Sequence, residues 1–327
     1  MKVSIIIPVY NAERYLEHAI NSALMQPETA EVILIEDGST DNSYRLCQSL
    51  AQQHAPVRLL RHPNGENRGA GASRNVGIIN AKYDFISFLD ADDLYTPNHF
   101  TTACNLLRNK TVDGVYGATG IHYEDEKCQN EWLYKRGINS ELTTLSKYIS
   151  PNALFKHLLL HTHGHFTTDA ITIKRRIFSK TGLFDEHLRL HQDTAMWLKM
   201  AAIGTLIPGD IKTPIAIRRV HGHNRISKIA TDYSTSSELL YNTILEWAQR
   251  NKLPNEQINL INYKIWKNNF FNYSVYKYKK RDAMIKGEKF SLLHKASFFS
   301  RQILNHPNLI RPSMFMRLLY EIVQEKK

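Results

Sequence analysis

Apolar runs of strand length alternate with amphipathic stretches along the first hundred residues. Val3 to Val9 (Val-Ser-Ile-Ile-Ile-Pro-Val) predict a buried strand, and Ala12 to Leu24 the amphipathic helix that follows it. Glu31 to Glu36 predict a second strand, which runs into Asp37-Gly38-Ser39-Thr40-Asp41-Asn42-Ser43, a turn combined with a helix cap. A helix to Gln53, a third strand at Val57 to Leu60, a glycine-rich loop from Asn64 to Gly71 and a helix through Asn80 come next. Phe85 to Leu89 is the fourth strand: a continuous apolar run too short for a helix fits a parallel strand covered on both faces. It stops at three carboxylates, Asp90, Asp92 and Asp93.

Beyond Pro97 the pattern predicts a helix to Arg108 and a strand at Gly114 to Gly117, and then a polar, irregular excursion from Ile121 to Ser150. A strand at Thr168 to Ile173, a short helix at Arg175 to Lys180, a helix at Thr194 to Ala202 and a strand at Pro214 to Arg218 follow. Strands alternating with helices across short connections predict an α/β fold with a mostly parallel, Rossmann-like sheet wrapped on both faces. Past Ser236 the pattern is mostly helical, broken at Pro254 and Pro307. The Thr-Ser-Ser composition of residues 228 to 236 marks the boundary, giving one domain over 1–230 and a C-terminal region over 231–327.

Charge changes this picture more than composition does. From Ser236 to Lys327, 16 Lys and Arg stand against 7 Asp and Glu, so nearly all of the net charge of +11 lies in the C-terminal region. Such asymmetry points to a phosphate-rich partner or an anionic membrane surface. Trp266, Phe270, Phe271, Tyr273, Tyr276 and Tyr278 interleave there with Lys264, Lys267, Lys277, Lys279, Lys280 and Arg281. That mixture fits an interfacial helix, and it fits equally a helical subdomain whose aromatics form its own core or a homodimer interface. No apolar run approaches the roughly 18 residues of a membrane span. Pro8 and Asn11 interrupt what would be a signal-peptide core, so a cytoplasmic protein is expected, at most peripheral on the inner face of the membrane. Cys47, Cys104 and Cys128 lack the spacing of a disulfide framework or a zinc site.

Candidate chemistry gathers at the presumptive carboxyl edge of the sheet, where open α/β sheets bind ligands. Three carboxylates within four residues repel one another unless a positive group neutralises them, and a hard divalent cation is one solution; a solvated acidic turn is the other. Gly69 and Gly71 permit close backbone approach, and the helix that follows offers N–H groups to an anion, with Arg74 one turn in. Gly-Ala-Gly-Ala-Ser-Arg lacks the third glycine of the dinucleotide fingerprint and does not follow the first strand, which disfavours an NAD-dependent enzyme.

Seven segments occur in one order: Pro8-Val9-Tyr10-Asn11; Asp37 to Asp41; Asn67-Arg68-Gly69 leading to Ser73-Arg74-Asn75-Val76-Gly77; Leu89 to Asp93; Gly182 to Glu186; Gln192-Asp193 with Trp197-Leu198; and His221 to Ser227. In that order and spacing the chain resembles the inverting glycosyltransferases of family 2, over residues 1 to about 230. The resemblance implies a GT-A nucleotide-sugar fold with Pro8, Tyr10, Asn11, Asp37, Arg74 and Asp90 at the nucleotide. Asp37 would accept the imide hydrogen of uracil and Tyr10 would flank the ring. It further implies Mn²⁺ or Mg²⁺ on Asp92, with His221 as a further ligand or phosphate donor, and Asp193 as catalytic base. The family pair Glu-Asp is Gln192-Asp193 here, which removes one negative charge beside the base.

Local readings stand beside these: an Asx-turn or helix cap for Asp37, a cap for Asp41, a helix N-cap for Asp193. His161, His163 and His165 would share one face if they form a strand, and packing or an acceptor pocket suits them better than a metal. The expected activity is transfer of a sugar, most simply from a UDP-sugar, to a hydroxyl of a surface glycan such as a lipid-linked chain of capsule or lipopolysaccharide. A sugar nucleotidyltransferase and a nucleic-acid-binding protein are the alternatives. Pro-Val-Tyr-Asn in place of a basic glycine-rich loop disfavours the first, and the lack of a nucleic-acid module disfavours the second.

Overall fold

The computed structural model describes residues 1–136, 141–222, 224 and 233–269. The chain divides into two compact units, 1–236 and 237–327. In the first, β1 (Val3–Val9), β2 (Thr29–Glu36), β3 (Val57–Arg61) and β4 (Phe85–Phe88) alternate with α1 (Leu16–Leu24), α2 (Ser43–Gln53) and α3 (Ala70–Asn80). These strands are mutually parallel, in the spatial order β4-β1-β2-β3. Successive residues of β1 are apolar because both faces are covered. Ile5 and Ile7 join the core cluster that contains Leu16, Ala19, Ile20 and Ala23 of α1. Ile6 points the other way, to Gly77 of α3.

After β4 the chain turns through Asp90 to Asp93 into β5 (Leu94–Tyr95), followed by α4 (Thr101–Leu106) and β6 (Gly114–Tyr116). The segment expected to be irregular instead holds β7 (Ala118–Tyr123), α5 (Glu126–Arg136) and β8 (Leu142–Thr143), ahead of α6 (Pro151–Leu160). Then come β9 (Ile171–Lys174), α7 (Phe178–Thr181), α8 (Gln192–Ile203), β10 (Leu206–Pro208) and β11 (Pro214–Val220). The main sheet has seven strands in the order β10-β6-β9-β4-β1-β2-β3, with β9 antiparallel to both neighbours. A second sheet has the order β5-β11-β7-β8. The acidic turn therefore lies where the chain passes from one sheet to the other.

His161 to His165 do not form a strand. His161 ends α6 with φ 53° and Gly164 has φ 88°, so the segment is a turn and the three histidines do not line one face. His163 instead meets His157, with ring centroids 4.7 Å apart.

In the second unit a helix at Tyr233–Arg250 continues past residue 237, and another covers 255–269. Leu240, Tyr241, Ile244, Trp247 and Ala248 are buried at helical spacing, as are Ile261 and Ile265. Tyr263 stacks on Trp266, and the Lys264 ammonium sits 5.1 Å over the Tyr241 ring, where burial pushes it down to about 8. Phe270 to Arg281 of the aromatic and basic stretch lie outside the described residues. Among the described residues no helix is long and apolar enough to cross a membrane.

The close approach of α3 to the sheet has a measurable consequence. A Cβ on Gly77 would stand 2.5 Å from Cγ2 of Ile6 and 3.1 Å from Cδ1 of Ile35. Gly77→Ala gains about 1 kcal/mol of helix propensity yet overpacks this contact, and a net loss of about 1–2 kcal/mol in urea unfolding is expected. A stabilised variant would show that α3 is not packed this tightly.

Candidate functional site

β1 and β2 end side by side, and their loops hold each other. Asn11 has φ 50°; its Oδ1 accepts the N–H of Thr40 (2.8 Å), and its own N–H donates to Oγ of Ser39 (3.1 Å). Pro8 pairs with Ile35 within the sheet, and Tyr10 projects half-exposed beyond it. The Asp37 carboxylate is buried. It accepts the backbone N–H of Arg68 (2.7 Å) and of Gly69 (2.9 Å), the first amides of the glycine-rich turn before α3. These two N–H groups precede Ala70, the first residue of α3, and are bonded to Asp37. Burial pushes the Asp37 carboxyl up, and these amides, His62 and Ser73 pull it part of the way back. Asp37 therefore caps a turn some thirty residues ahead of it, rather than its own. Asp41 does cap locally, accepting the N–H of Ser43 (2.9 Å) at the start of α2.

The central acids separate into two groups. Asp90 pairs with the buried Arg74 (Nη2 to Oδ1, 2.6 Å), whose guanidinium also lies 5.6 Å over the Phe184 ring. Asp93 is buried and accepts the N–H of Arg219 on β11 (2.8 Å). A third acid that the sequence pattern did not single out, Asp169, completes the group: ligand oxygens of Asp90, Asp93 and Asp169 all lie within 4.8 Å of one another. Desolvation works against the charge on Arg218, but Asp93, Asp169, Asp90 and Asp193 outweigh it and raise its pKa. Burial, and then the neighbouring Asp90, push Asp169 up to about 7, and burial with Asp169 and Asp92 raises Asp93 well above the carboxylate range. Burial and mutual repulsion thus favour the protonated forms of Asp93 and Asp169, and the guanidinium groups of Arg74 and Arg218 offset negative charge in the group.

Asp92 faces elsewhere. Its Oδ2 lies 3.1 Å from Nε2 of His221 and 3.1 Å from Nδ2 of Asn224, and the carboxylate is about one-third exposed. His221 is buried against Tyr15, with ring centroids 4.4 Å apart, and its N–H donates to Oδ1 of Asn224 (2.6 Å). Arg219 lies over the Tyr15 ring, and the Tyr15 hydroxyl donates to Glu124 (3.2 Å). Adjacent donors around an octahedral ion at about 2.1 Å are about 3 Å apart, so a carboxylate oxygen and an imidazole nitrogen at this separation fit a divalent cation. Tyr15 and Asn224 were not expected here. His223 and Arg225 to Ser227 lie outside the described residues.

Asp193 sits in the first turn of α8, but the N-cap is His191, with φ 61°; the Asp193 Oδ1 accepts the N–H of Thr194 (2.7 Å). Asp193 is therefore not the N-cap residue, although its carboxylate satisfies one first-turn N–H of the helix. Its charge and those of the acidic group act on Arg218 together, which brings it to the same site. Gln192 lies so close to Gly71 that a Cβ there would be 2.1 Å from its Oε1. Behind them Asn75 donates to the carbonyl of Phe184 (2.9 Å) and accepts the Phe184 N–H (2.8 Å). Phe184, Phe88 and Trp197 pack as an aromatic trio that sets α8 against the end of β4. Asp169 left one signal in the sequence: a carboxylate inside a predicted buried strand demands a partner.

Residues 4–182 match the family model described as Glycosyl transferase family 2. An uncharacterized glycosyltransferase of Rickettsia typhi is 32% identical over 205 residues, which cover 62% of this chain and 60% of the relative. The minor teichoic acid biosynthesis protein GgaA of Bacillus subtilis is 30% identical over 197 residues, covering 58% of this chain and 41% of that protein. The chain thus spans about 60% or less of these curated relatives. In three dimensions it is similar to S. aureus TarS 1–349 in complex with UDP-GlcNAc, with a TM-score of 0.60 at 16% identity, over 82% of this chain and 71% of the other. That likeness is one of fold, and the shared fold is GT-A.

The buried pair predicts a pH dependence. Asp169 has a folded pKa of about 7 against about 3.9 unfolded, so between those values the native state binds the extra proton and stability falls as pH rises. Asp169→Asn removes that linkage. In denaturant unfolding at stepped pH, the variant should gain on the wild type from about pH 4 to about pH 7 and no further above that. A difference independent of pH would contradict the raised pKa.

Proposed function

The chain belongs to glycosyltransferase family 2, and from that membership we propose that it is a metal-dependent, inverting enzyme that moves a sugar from a UDP-sugar to a hydroxyl of a surface glycan. The transferase domain is assigned to residues 1–230. Pro8, Tyr10, Asn11 and Asp37 form the base and ribose end, and Asp90 and Arg74 lie between that end and the diphosphate. Asp92 and His221 would hold Mn²⁺ or Mg²⁺. The observation that carries the reading is the 3.1 Å approach of Asp92 Oδ2 to His221 Nε2, outside an acidic group that its own arginines already neutralise. The named ligand of the TarS complex, UDP-GlcNAc, supports the choice of a UDP-sugar, and the name of GgaA supports a wall-type glycan as acceptor. A lipid-linked acceptor and a membrane role for the basic C-terminal region belong to the same proposal.

When bound, a divalent ion at Asp92 and His221 supplies Lewis-acid stabilisation of the leaving diphosphate. The protein's own work is to orient and to move a proton. Asp193 takes the proton of the acceptor hydroxyl while that oxygen attacks the anomeric carbon from the face opposite the nucleotide. The bond from the anomeric carbon to the diphosphate oxygen breaks, its electron pair stays with the nucleotide, and configuration at that carbon inverts. Arg218, on which Asp193 and the acidic group act together, would offset the negative charge that grows on the leaving diphosphate. The tight seat of Gln192 on Gly71 keeps the first turn of α8, and so Asp193, against the donor loop.

Two variants separate these roles. With UDP-sugars and Mn²⁺, Asp193→Asn should keep UDP binding and lose transfer by about a hundredfold or more. Asp92→Asn should abolish metal-dependent turnover and hydrolysis alike. Turnover by Asp92→Asn equal to that of the wild type, or more than a few per cent of activity in Asp193→Asn, would overturn the respective assignment.

A further inference from the structure

We propose that Asp169 is a positioning residue for the donor site: a buried carboxyl that ties together the two ends of the Asp90–Asp93 turn and so sets the direction in which Asp92 points. The proposal rests on the transferase reading of that turn and adds to it a residue from a different part of the chain.

Asp169 lies in the 3-10 turn Thr168–Ala170 that leads into β9, and the antiparallel pairing of β9 with β4, Ser87 opposite Thr172, brings that turn to the end of β4. Asp169 is fully buried, and its Oδ1 accepts the backbone N–H of Asp90 (2.8 Å). Its Oδ2 is also buried and lies in the cluster with the Asp90 and Asp93 carboxylates, where the Asp93 carboxyl can share a proton with it. The turn closes on itself, Asp93 N–H to Asp90 carbonyl (3.0 Å), and its far end is held from β11 through the Arg219 N–H on Asp93. Asp92 is thus strung between an anchor in the turn before β9 and an anchor on β11, and it meets His221 two residues beyond Arg219. An apolar residue at 169 would bury more cheaply, but it would leave the Asp90 N–H without a partner and the turn held at one end. Arg74 does not replace this anchor, because it bonds the Asp90 side chain and not its backbone.

The test uses the full chain as wild type, Asp169→Ala and Asp169→Asn. Hydrogen–deuterium exchange is followed for a peptide spanning residues 88–95 and for one in β2 as folding control, and Mn²⁺-dependent UDP binding by calorimetry. Asp169→Ala should exchange about tenfold faster over 88–95 and need about fivefold more Mn²⁺ for half-maximal UDP binding, with β2 unchanged. Asp169→Asn should stay within about twofold of wild type in both, because its amide keeps an acceptor for Asp90 and offers an N–H to Asp93. Wild-type behaviour of Asp169→Ala in either measurement, or an Asp169→Asn as impaired as Asp169→Ala, would overturn the proposal. If Asp169→Ala fails to fold, Asp169→Asn decides alone: twofold agreement upholds the anchor and fivefold loss removes it. A wild type that binds no UDP with Mn²⁺ would defeat the transferase reading instead, and the exchange comparison would still decide whether Asp169 holds the turn.

Discussion

Burying carboxylates is costly, and this molecule buries Asp93 and Asp169 completely, with Asp90 beside them, where two sheets meet. Opposite charge reaches them from two other elements, Arg74 from α3 and Arg218 with the Arg219 amide from β11, while Asp169, in the turn just before β9, accepts the Asp90 amide. Those elements cannot shift independently without leaving a charge or an N–H unpaired. The junction therefore fixes the end of β4, the approach of β11 and the first turn of α3 in one step, and the rest of the site inherits that geometry.

Internal neutralisation has a functional corollary. Asp90, Asp93 and Asp169 already meet guanidinium groups and amides of the protein, whereas Asp92 shares its oxygen with an imidazole and an amide and keeps an open side. The four-residue turn divides labour: its ends are held by other elements, and its third residue, Asp92, turns to His221 and Asn224. Asp37 shows the same economy at the other end of the edge, where one carboxylate organises the glycine-rich turn from which α3 starts.

What was legible in the sequence was local. The strand Phe85 to Leu89, the acids behind it, the turn after β2 and the loop before α3 all announce themselves by apolar runs, glycines and acids within a few residues. Family order then linked Asp37, Asp92, Asp193 and His221. What escaped depends on pairing between distant segments. Asp169 meets Asp90 because the antiparallel pairing of β9 with β4 carries the turn before β9 to the end of β4, and β11 delivers Arg218 to Asp93 through its pairing with β5, in which Ile217 lies opposite Leu94. The second sheet escaped for the same reason, since β5 and β8 are two residues long and carry no periodicity of their own. The alternation of His161, His163 and His165 would have put them on one face only in a strand, and a positive φ at His161 and at Gly164 makes a turn instead. At Asp193 the helix cap lies two residues earlier than the residue type indicated.

The central claim is that the protein neutralises its own buried acids and leaves Asp92 with His221 as the place for a cation. Crystals grown with UDP and Mn²⁺, with anomalous differences measured at the manganese edge, test this most directly. The account predicts one peak, bound by the Asp92 carboxylate and His221 Nε2. A peak among Asp90, Asp93 and Asp169, with Arg74 or Arg218 displaced, would contradict it.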